Sequence, residues 1–318
     1  MTSPQAAQPL PPLPLVPSAA FVVVWSSGYI AGPYGIEAVN PLWLVALRFL
    51  VAALVVAAIA RVARGPLRTA DGGRLDRSTL LRLAGVGFTL NGGLFAIMYV
   101  AFDEGFDPTL AAMLHALSPV LTALLAGVLL RERVTRLQAV GFAVGVAGVV
   151  TVLGPDVGQA GSPLGLALGI VSLFAISLGT LGQRWVAHGP DPLWSAAVQF
   201  GVSVPPVVLL ALLLEGTDVV VGDPVQGAVA LAWLAGVNSV VGLVLLGVLV
   251  RVGGAGAAAS LFFLMPPVTA VMAYAVLGEG LSAREVVGLL LGVVGVAVAT
   301  RSAVLARRAA LLAPVPES

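Results

Sequence analysis

A chain of 318 residues, 59% hydrophobic and 10% charged, with a mean hydropathy of +1.04, carries more apolar surface than one water-soluble core can hide. Soluble domains average roughly 25% charged residues, so a bilayer is the solvent for most of this chain and most soluble enzymes are excluded. Sixteen basic residues, every one arginine, against 15 acidic ones leave net +1 and no global basic field for nucleic acid, and the absence of cysteine removes disulfides, thiolate metal sites and thiol nucleophiles.

Residues 1–17 hold six prolines and no basic residue, so they lack the positive n-region of a secretory signal and are expected to form a disordered, Pro-rich cytoplasmic tail. From Ser18 onward, apolar runs of about 20 residues, the length of one transmembrane helix, are separated by short breaks at which charges collect. Ten spans are predicted: 18–36, 41–60, 80–102, 108–130, 137–153, 163–183, 192–214, 225–250, 255–277 and 285–302, with residues 303–318 as a C-terminal tail.

Arginine placement sets the orientation, because basic residues near span ends stay on the cytoplasmic side. Arg61, Arg64, Arg68, Arg74, Arg77 and Arg82 flank the second loop, Arg131, Arg133 and Arg136 the fourth, Arg184 the sixth, Arg251 the eighth, and Arg301, Arg307 and Arg308 the C-terminal end. Odd-numbered loops carry acids instead, with Arg284 the one basic residue among them. Both termini are therefore expected in the cytoplasm, and a miscount by one span would break the alternation.

The chain also repeats itself at an offset of 147 residues: Asn91 matches Asn238, Pro119 matches Pro266, Thr122 matches Thr269, Glu132 matches Glu279, and Gly141, Gly145 and Gly148 match Gly288, Gly292 and Gly295. Five spans per half is odd, so the second copy is inserted upside down. The arginines of the fourth loop should then be missing from its equivalent, and the matching positions are indeed Gly278, Gly280 and Ala283. The expected fold is all-α and integral to the membrane, with ten transmembrane helices as two inverted five-helix repeats, 18–153 and 163–302. Inverted halves suit alternating access, since they give inward-open and outward-open states of similar energy.

The stretches WSSGYI, PLWLVALRFL, LSPVLTALLAGVLLRERVTRLQAVGFAVGVAG and LMPPVTAVMAYAVLGEGLSAREVVGLLLGVVGVA resemble the drug/metabolite transporter superfamily, in particular its EamA-like ten-helix members. The resemblance covers nearly the whole chain. It implies an inner-membrane carrier with a central cavity between its halves, exporting amino acids, other metabolites or drugs. The family usually has Trp-Gly where this chain has Trp25-Ser26.

Ionisable groups inside a membrane are expensive and usually face a cavity or a partner. Arg48 and His115 each follow a helix-opening proline, Pro41 or Pro108, by seven residues, which puts both roughly 10 Å deep. Arg48 is the candidate for binding an anionic group such as a substrate carboxylate; the alternative is a structural arginine paired with Glu37 or with helix carbonyls. His115 is the candidate for proton coupling, against a neutral histidine hydrogen-bonded between helices. Asn91, Asn238 and Gln199 are further cavity-lining candidates, with Gln199-Phe200 standing in the seventh span where Arg48-Phe49 stands in the second. Trp25, Tyr29 and Tyr99 either contact substrate or anchor the interface.

Gly141 with Gly145, and Gly288 with Gly292, have the spacing that lets apolar helices approach closely. Pro119, Pro205, Pro206, Pro266 and Pro267 are expected to interrupt helices and mark hinges. Gly254-x-Gly256-x-x-Ala259 fits a dinucleotide fingerprint only superficially, since no strand–helix alternation surrounds it. Glu132 and Glu279 sit at span ends and read as caps or arginine partners. Acids confined to loops and two distant histidines, His115 and His188, offer no catalytic constellation, and where a channel would want rings of like groups around one pore, inverted halves suit alternating access better. The expected protein is a secondary carrier of a small molecule, possessing no catalytic residue, metal or cofactor and using protons or no coupling ion at all; a passive facilitator or importer is the alternative. Substrate identity and oligomeric state are not legible.

Overall fold

The computed structural model describes residues 13–67, 75–130, 135–154, 162–186, 191–219, 221–249, 252, 261–278 and 282–312; these are helical apart from their loops and one isolated bridge between Val39 and Val221. In chain order the helices are α1 (Leu15–Ser26), α2 (Gly28–Ile36), α3 (Pro41–Arg64), α4 (Arg77–Gly87), α5 (Leu94–Asp103), α6 (Pro108–Ala116), α7 (Ser118–Leu130), α8 (Arg136–Leu153), α9 (Pro163–Gly182), α10 (Pro192–Leu214), α11 (Pro224–Ala232), α12 (242–249), α13 (Met265–Leu277) and α14 (Ala283–Leu312). Many of the starts are written locally. Asp107, Asp191, Asp223 and Ser162 each precede a proline and accept a first-turn N–H of α6, α10, α11 and α9. Such a cap satisfies a donor that the helix cannot, and the proline gives up an N–H that had no partner.

Seven segments among the described residues are long and apolar enough to cross a membrane: Leu15–Ile36, Pro41–Arg64, Arg77–Asp103, Arg136–Leu153, Pro163–Gly182, Pro192–Leu214 and Pro224–Leu249. The pair α6 and α7, bent by 41° at Leu117, makes an eighth. The fold is thus an all-α, multi-pass membrane bundle. A shorter apolar helix, Leu261–Val276, and α14 follow where the ninth and tenth spans are predicted. Exposed Leu54, Val62, Val128, Leu213 and Val225 give the bundle an apolar outer surface, as lipid contact requires.

Several spans are not continuous α-helices. The first is broken at Ser27, between α1 and α2. The third and eighth widen into π-helical segments, Phe88–Gly93 and Trp233–Val241, which contain the offset-related Asn91 and Asn238. A π-helical turn spoils the regular backbone ladder and is commonly found at functional sites. Before α13 the chain runs through a 3-10 turn, Leu261–Leu264.

Two helix pairs form the spine. Antiparallel α3 and α10 are tied at both ends: at one, Glu215 accepts the backbone N–H groups of Leu42 (2.8 Å) and Trp43 (3.2 Å); at the other, Arg64 pairs with Asp191 (3.3 Å) and the Trp194 indole donates to the Gly65 carbonyl. Midway, Phe49 stacks on Phe200 at 5.5 Å, so the two arginine- and glutamine-bearing dipeptides meet through their aromatic members. In the second pair, α8 packs on α14 through glycines. A β-carbon on Gly148 would lie 2.6 Å from the Gly292 nitrogen and 2.7 Å from the Gly288 carbonyl oxygen, and one on Gly295 would strike the backbone of Gly145 and Gly141. Adding the 147-residue offset to one member of each contact and subtracting it from the other turns the first set into the second.

Some expectations change. Pro205 and Pro206 lie inside an uninterrupted α10, because a bundle helix can give up two N–H bonds when its neighbours hold it in place. Pro119, Pro266 and Pro267 stand in the first turns of α7 and α13, just after a break, where the missing N–H costs nothing. The N-terminal helix begins at Leu15, inside the predicted tail, and α14 continues to Leu312, ten residues past the predicted tenth span. Glu132, Glu279, His188 and the Gly254-x-Gly256 stretch lie outside the described residues.

Candidate functional site

Arg48, on the second turn of α3, is 2% exposed. Its Nε donates to Ser239 Oγ (3.1 Å), Nη1 to the Tyr99 hydroxyl (3.0 Å) and Nη2 to Asn238 Oδ1 (2.6 Å). The guanidinium carbon stands 4.2 Å from the ring centre of Phe95 and 5.3 Å from that of Phe49. Every partner is neutral, and no carboxylate among the described residues is within ion-pair distance. Glu37, the partner considered from sequence, instead accepts from the Gln226 amide (3.0 Å). A buried cation normally needs a counter-charge, and cation–π faces supply only part of one. Of five guanidinium N–H donors, these bonds use three and leave one on each terminal nitrogen.

The Asn238 amide nitrogen continues the network, donating to the carbonyls of Val24 (2.9 Å) and Trp25 (3.4 Å). These belong to the last turn of α1, where carbonyls lack the regular helical donor; Val24 also accepts from Ser27 Oγ (2.7 Å). The joint between α1 and α2 is held from other sides too: the Trp233 indole donates to Ser27 Oγ (2.8 Å), and Ser26 Oγ donates to the Met265 carbonyl (3.4 Å). Gly28 is required there, since a β-carbon would sit 2.7 Å from Asn238 Nδ2. One arginine thereby connects the second span, the π-helical turn of the eighth and the break in the first.

His115 is placed elsewhere. Its Nδ1 lies 2.9 Å from the Tyr29 hydroxyl and its Nε2 2.8 Å from Ser172 Oγ. Ser172 donates its one proton to the Gly169 carbonyl at 2.6 Å, so it accepts from Nε2–H, and Nδ1 accepts from Tyr29. Neutral imidazole satisfies this chain completely. The two ionisable groups therefore flank α2 rather than share a site: Tyr29 faces His115, while Gly28 faces Asn238 and Gly32 faces Tyr99 and Phe102.

The remaining candidates divide. Tyr99 belongs to the Arg48 site and Tyr29 to the His115 site. Trp25 packs its ring on Phe21 and Phe262, both at 5.4 Å. Gln199 is buried near the Arg64 end of the bundle, exchanging hydrogen bonds with Gln183 and donating to Ser195. Asn91 is half-buried and makes no side-chain hydrogen bond among the described residues. Gly141, Gly145, Gly288 and Gly292 all lie in the α8–α14 pair. A small apolar hollow, lined by Met113, Ala116, Phe263, Pro266, Leu289, Gly292 and Val293, lies between α6, α13 and α14. Sequence reasoning missed Ser239, Phe95, Phe49 and Ser172; adjacency to Asn238 or Arg48 was the available signal for two of them.

Outside the spans, burial raises two carboxylates. Burial pushes Glu215 above its usual range, opposed by the N–H bonds from Leu42 and Trp43 and aided by the charge of Asp103. Burial likewise raises Asp107, with the Leu110 N–H opposing it and Glu285 adding to it.

Helices interrupted inside an apolar bundle, with the carbonyls at one break tied through an asparagine to a buried arginine, are the construction of a polytopic membrane transporter, in which irregular backbone is tolerated only where it lines a pathway or is buried in protein. The sequence profile of the EamA-like transporter family matches residues 17–154 and again 163–301. The chain belongs to that family. It is 28% identical over 282 residues to a protein of Salmonella typhimurium named a probable amino-acid metabolite efflux pump, covering 86% of this chain and 90% of that one. It is also 28% identical over 297 residues to a protein of Streptantibioticus cattleyicolor named a probable terminal-alkyne amino-acid exporter, covering 91% and 94%. A crystal structure of 21% sequence identity superposes with a TM-score of 0.64 over 92% of this chain and 97% of its own, a likeness of fold.

Proposed function

We propose that the chain is a secondary carrier that exports amino acids or related small carboxylate metabolites across the inner membrane by alternating access. Ten spans arranged as two inverted halves, 18–153 and 163–302, with both termini cytoplasmic, are the architecture proposed for it. The 147-residue offset, the exchange of the α8–α14 glycine contacts under it and the alternating arginines support that arrangement. The observation that carries the function is Arg48: a buried, fork-shaped cation held by neutral oxygens and aromatic faces, with donors left over, takes a carboxylate bidentately. The names of the relatives support amino-acid-like cargo and the outward direction.

A second reading, passive facilitation without protons, is favoured by His115, whose two ring nitrogens are both satisfied in the neutral form. As proposed here, His115 is a strut joining the first, fourth and sixth spans. Competition in reconstituted vesicles tests the site: unlabelled α-amino acids are expected to inhibit uptake of a labelled one, and their amides, which lack the anionic group, are expected to fail. Equal inhibition by acids and amides would remove the carboxylate reading.

A further inference from the structure

Arg48 and the α1–α2 joint do not touch; Asn238 lies between them, its carbonyl end on the arginine and its amino end on the joint. A carboxylate arriving at Arg48 takes the spare N–H on each terminal nitrogen, and its full negative charge draws the guanidinium toward it and off the neutral oxygens it now holds. The bond to Asn238 Oδ1, 2.6 Å from Nη2, shares its nitrogen with one of those spare donors, so it is lengthened directly as the guanidinium moves. The amide is held at both ends, so losing the arginine frees it to turn. The Trp25 carbonyl then loses its side-chain donor and the Val24 carbonyl keeps only Ser27 Oγ (2.7 Å), so the joint is left with that local bond, Trp233 on Ser27 and the long Ser26 bond to Met265.

The other half of the chain supplies a contrast. Ser177-Leu178-Gly179 follows Ser26-Ser27-Gly28 at 151 residues, the same offset that relates Arg48 to Gln199. Ser177 donates to the Ser118 carbonyl (3.5 Å) as Ser26 donates to that of Met265, 147 residues later. Asn91, the counterpart of Asn238, makes no such bridge, and α9 runs unbroken through Ser177. One asparagine is engaged across a helix break while its equivalent is disengaged beside a continuous helix.

We infer that Asn238 couples the two events: an anion bound at Arg48 draws the guanidinium from Asn238 and thereby unlocks the α1–α2 joint. This rests on the reading of Arg48 as the carboxylate site, and its test needs no solute. The natural chain has no cysteine, so Ser26→Cys and Ser177→Cys each supply a single near-isosteric reporter at a position that is 0% exposed. Labelling of each by a water-soluble maleimide is followed with Asn238 intact, with Asn238→Ala and with Asn238→Asp. The aspartate keeps the side chain's volume and places a carboxylate on Arg48 from within, yet it cannot donate to Val24 or Trp25.

Both variants are expected to accelerate labelling at residue 26 about tenfold, the ratio corresponding to loss of ~1.4 kcal/mol of holding energy, and to leave residue 177 protected. Labelling at residue 26 that stays at its original rate in both variants overturns the inference. Acceleration at both reporters also overturns it, because that is general loosening. Failure of the carboxylate reading shows instead in the competition between acids and amides, which these labelling rates do not enter.

Discussion

Replacing Arg48 with lysine keeps the buried positive charge and removes the fork. In the structure three guanidinium nitrogens serve three separate oxygens, on Ser239, Tyr99 and Asn238, with spacings of 2.6 to 3.1 Å. One ammonium cannot span them, and it offers a carboxylate a point contact in place of two parallel bonds. A hydrogen bond to a charged group is worth ~1.5–3 kcal/mol, so losing one of two raises the half-saturation concentration about 10- to 150-fold. Counterflow in vesicles containing Arg48→Lys, with Arg48→Gln as the charge-removed limit, measures this directly. Immunoblotting and thermal melting in detergent establish that the variants insert and fold. A folded Arg48→Lys protein whose half-saturation stays within about twofold of the original, less than ~0.5 kcal/mol, would refute the bidentate account.

Gly148→Ala is expected to destabilise the α8–α14 pair by ~1–3 kcal/mol, the usual cost of overpacking, because its β-carbon meets the unyielding backbone of Gly288 and Gly292. Gly292→Ala is expected to cost much less, since its nearest neighbour is the mobile tip of Met113 at 3.3 Å; detergent melting temperatures distinguish the two. Glu215 holds its proton more tightly folded than unfolded, so its ionisation opposes folding as pH rises from its ordinary value near 4.5 through the raised one. The melting temperature of the wild type should therefore fall relative to Glu215→Gln across that window, and a constant difference would contradict the burial that causes the shift. His115→Gln is expected to leave any dependence of uptake on a pH gradient unchanged while lowering the melting temperature; loss of gradient dependence in a folded protein would reverse the assignment of His115 as a strut.

Much of the architecture was legible because membranes enforce simple rules. Apolar run length located seven spans and the bent pair that makes an eighth, and the repeated glycines identified a pair whose backbones meet. Arg48 stood out for the same reason, being a charge where charges are costly. The environment of Arg48 was not legible, since Asn238 and Ser239 are 190 and 191 residues away and no local pattern announces a π-helical turn. The break at Ser27 likewise depends on partners, Trp233, Asn238 and Met265, that only the folded bundle supplies. Pro205 and Pro206 show the converse: a strong local signal for a break is overridden where α10, packed against α3, stays a continuous helix. Burial alone did not decide which polar groups belong together, as Arg48 and His115 share a predicted depth but lie on opposite flanks of α2.

The central claim is that the protein carries carboxylate solutes by exposing Arg48 alternately to the two sides. Purified protein in vesicles preloaded with mixed unlabelled amino acids, then diluted into labelled ones with no imposed gradient, tests it most directly. The account predicts transient accumulation of label driven by outward flow of the unlabelled pool, abolished by Arg48→Gln. Label that only equilibrates, at a rate indifferent to the internal pool and to Arg48, would contradict it.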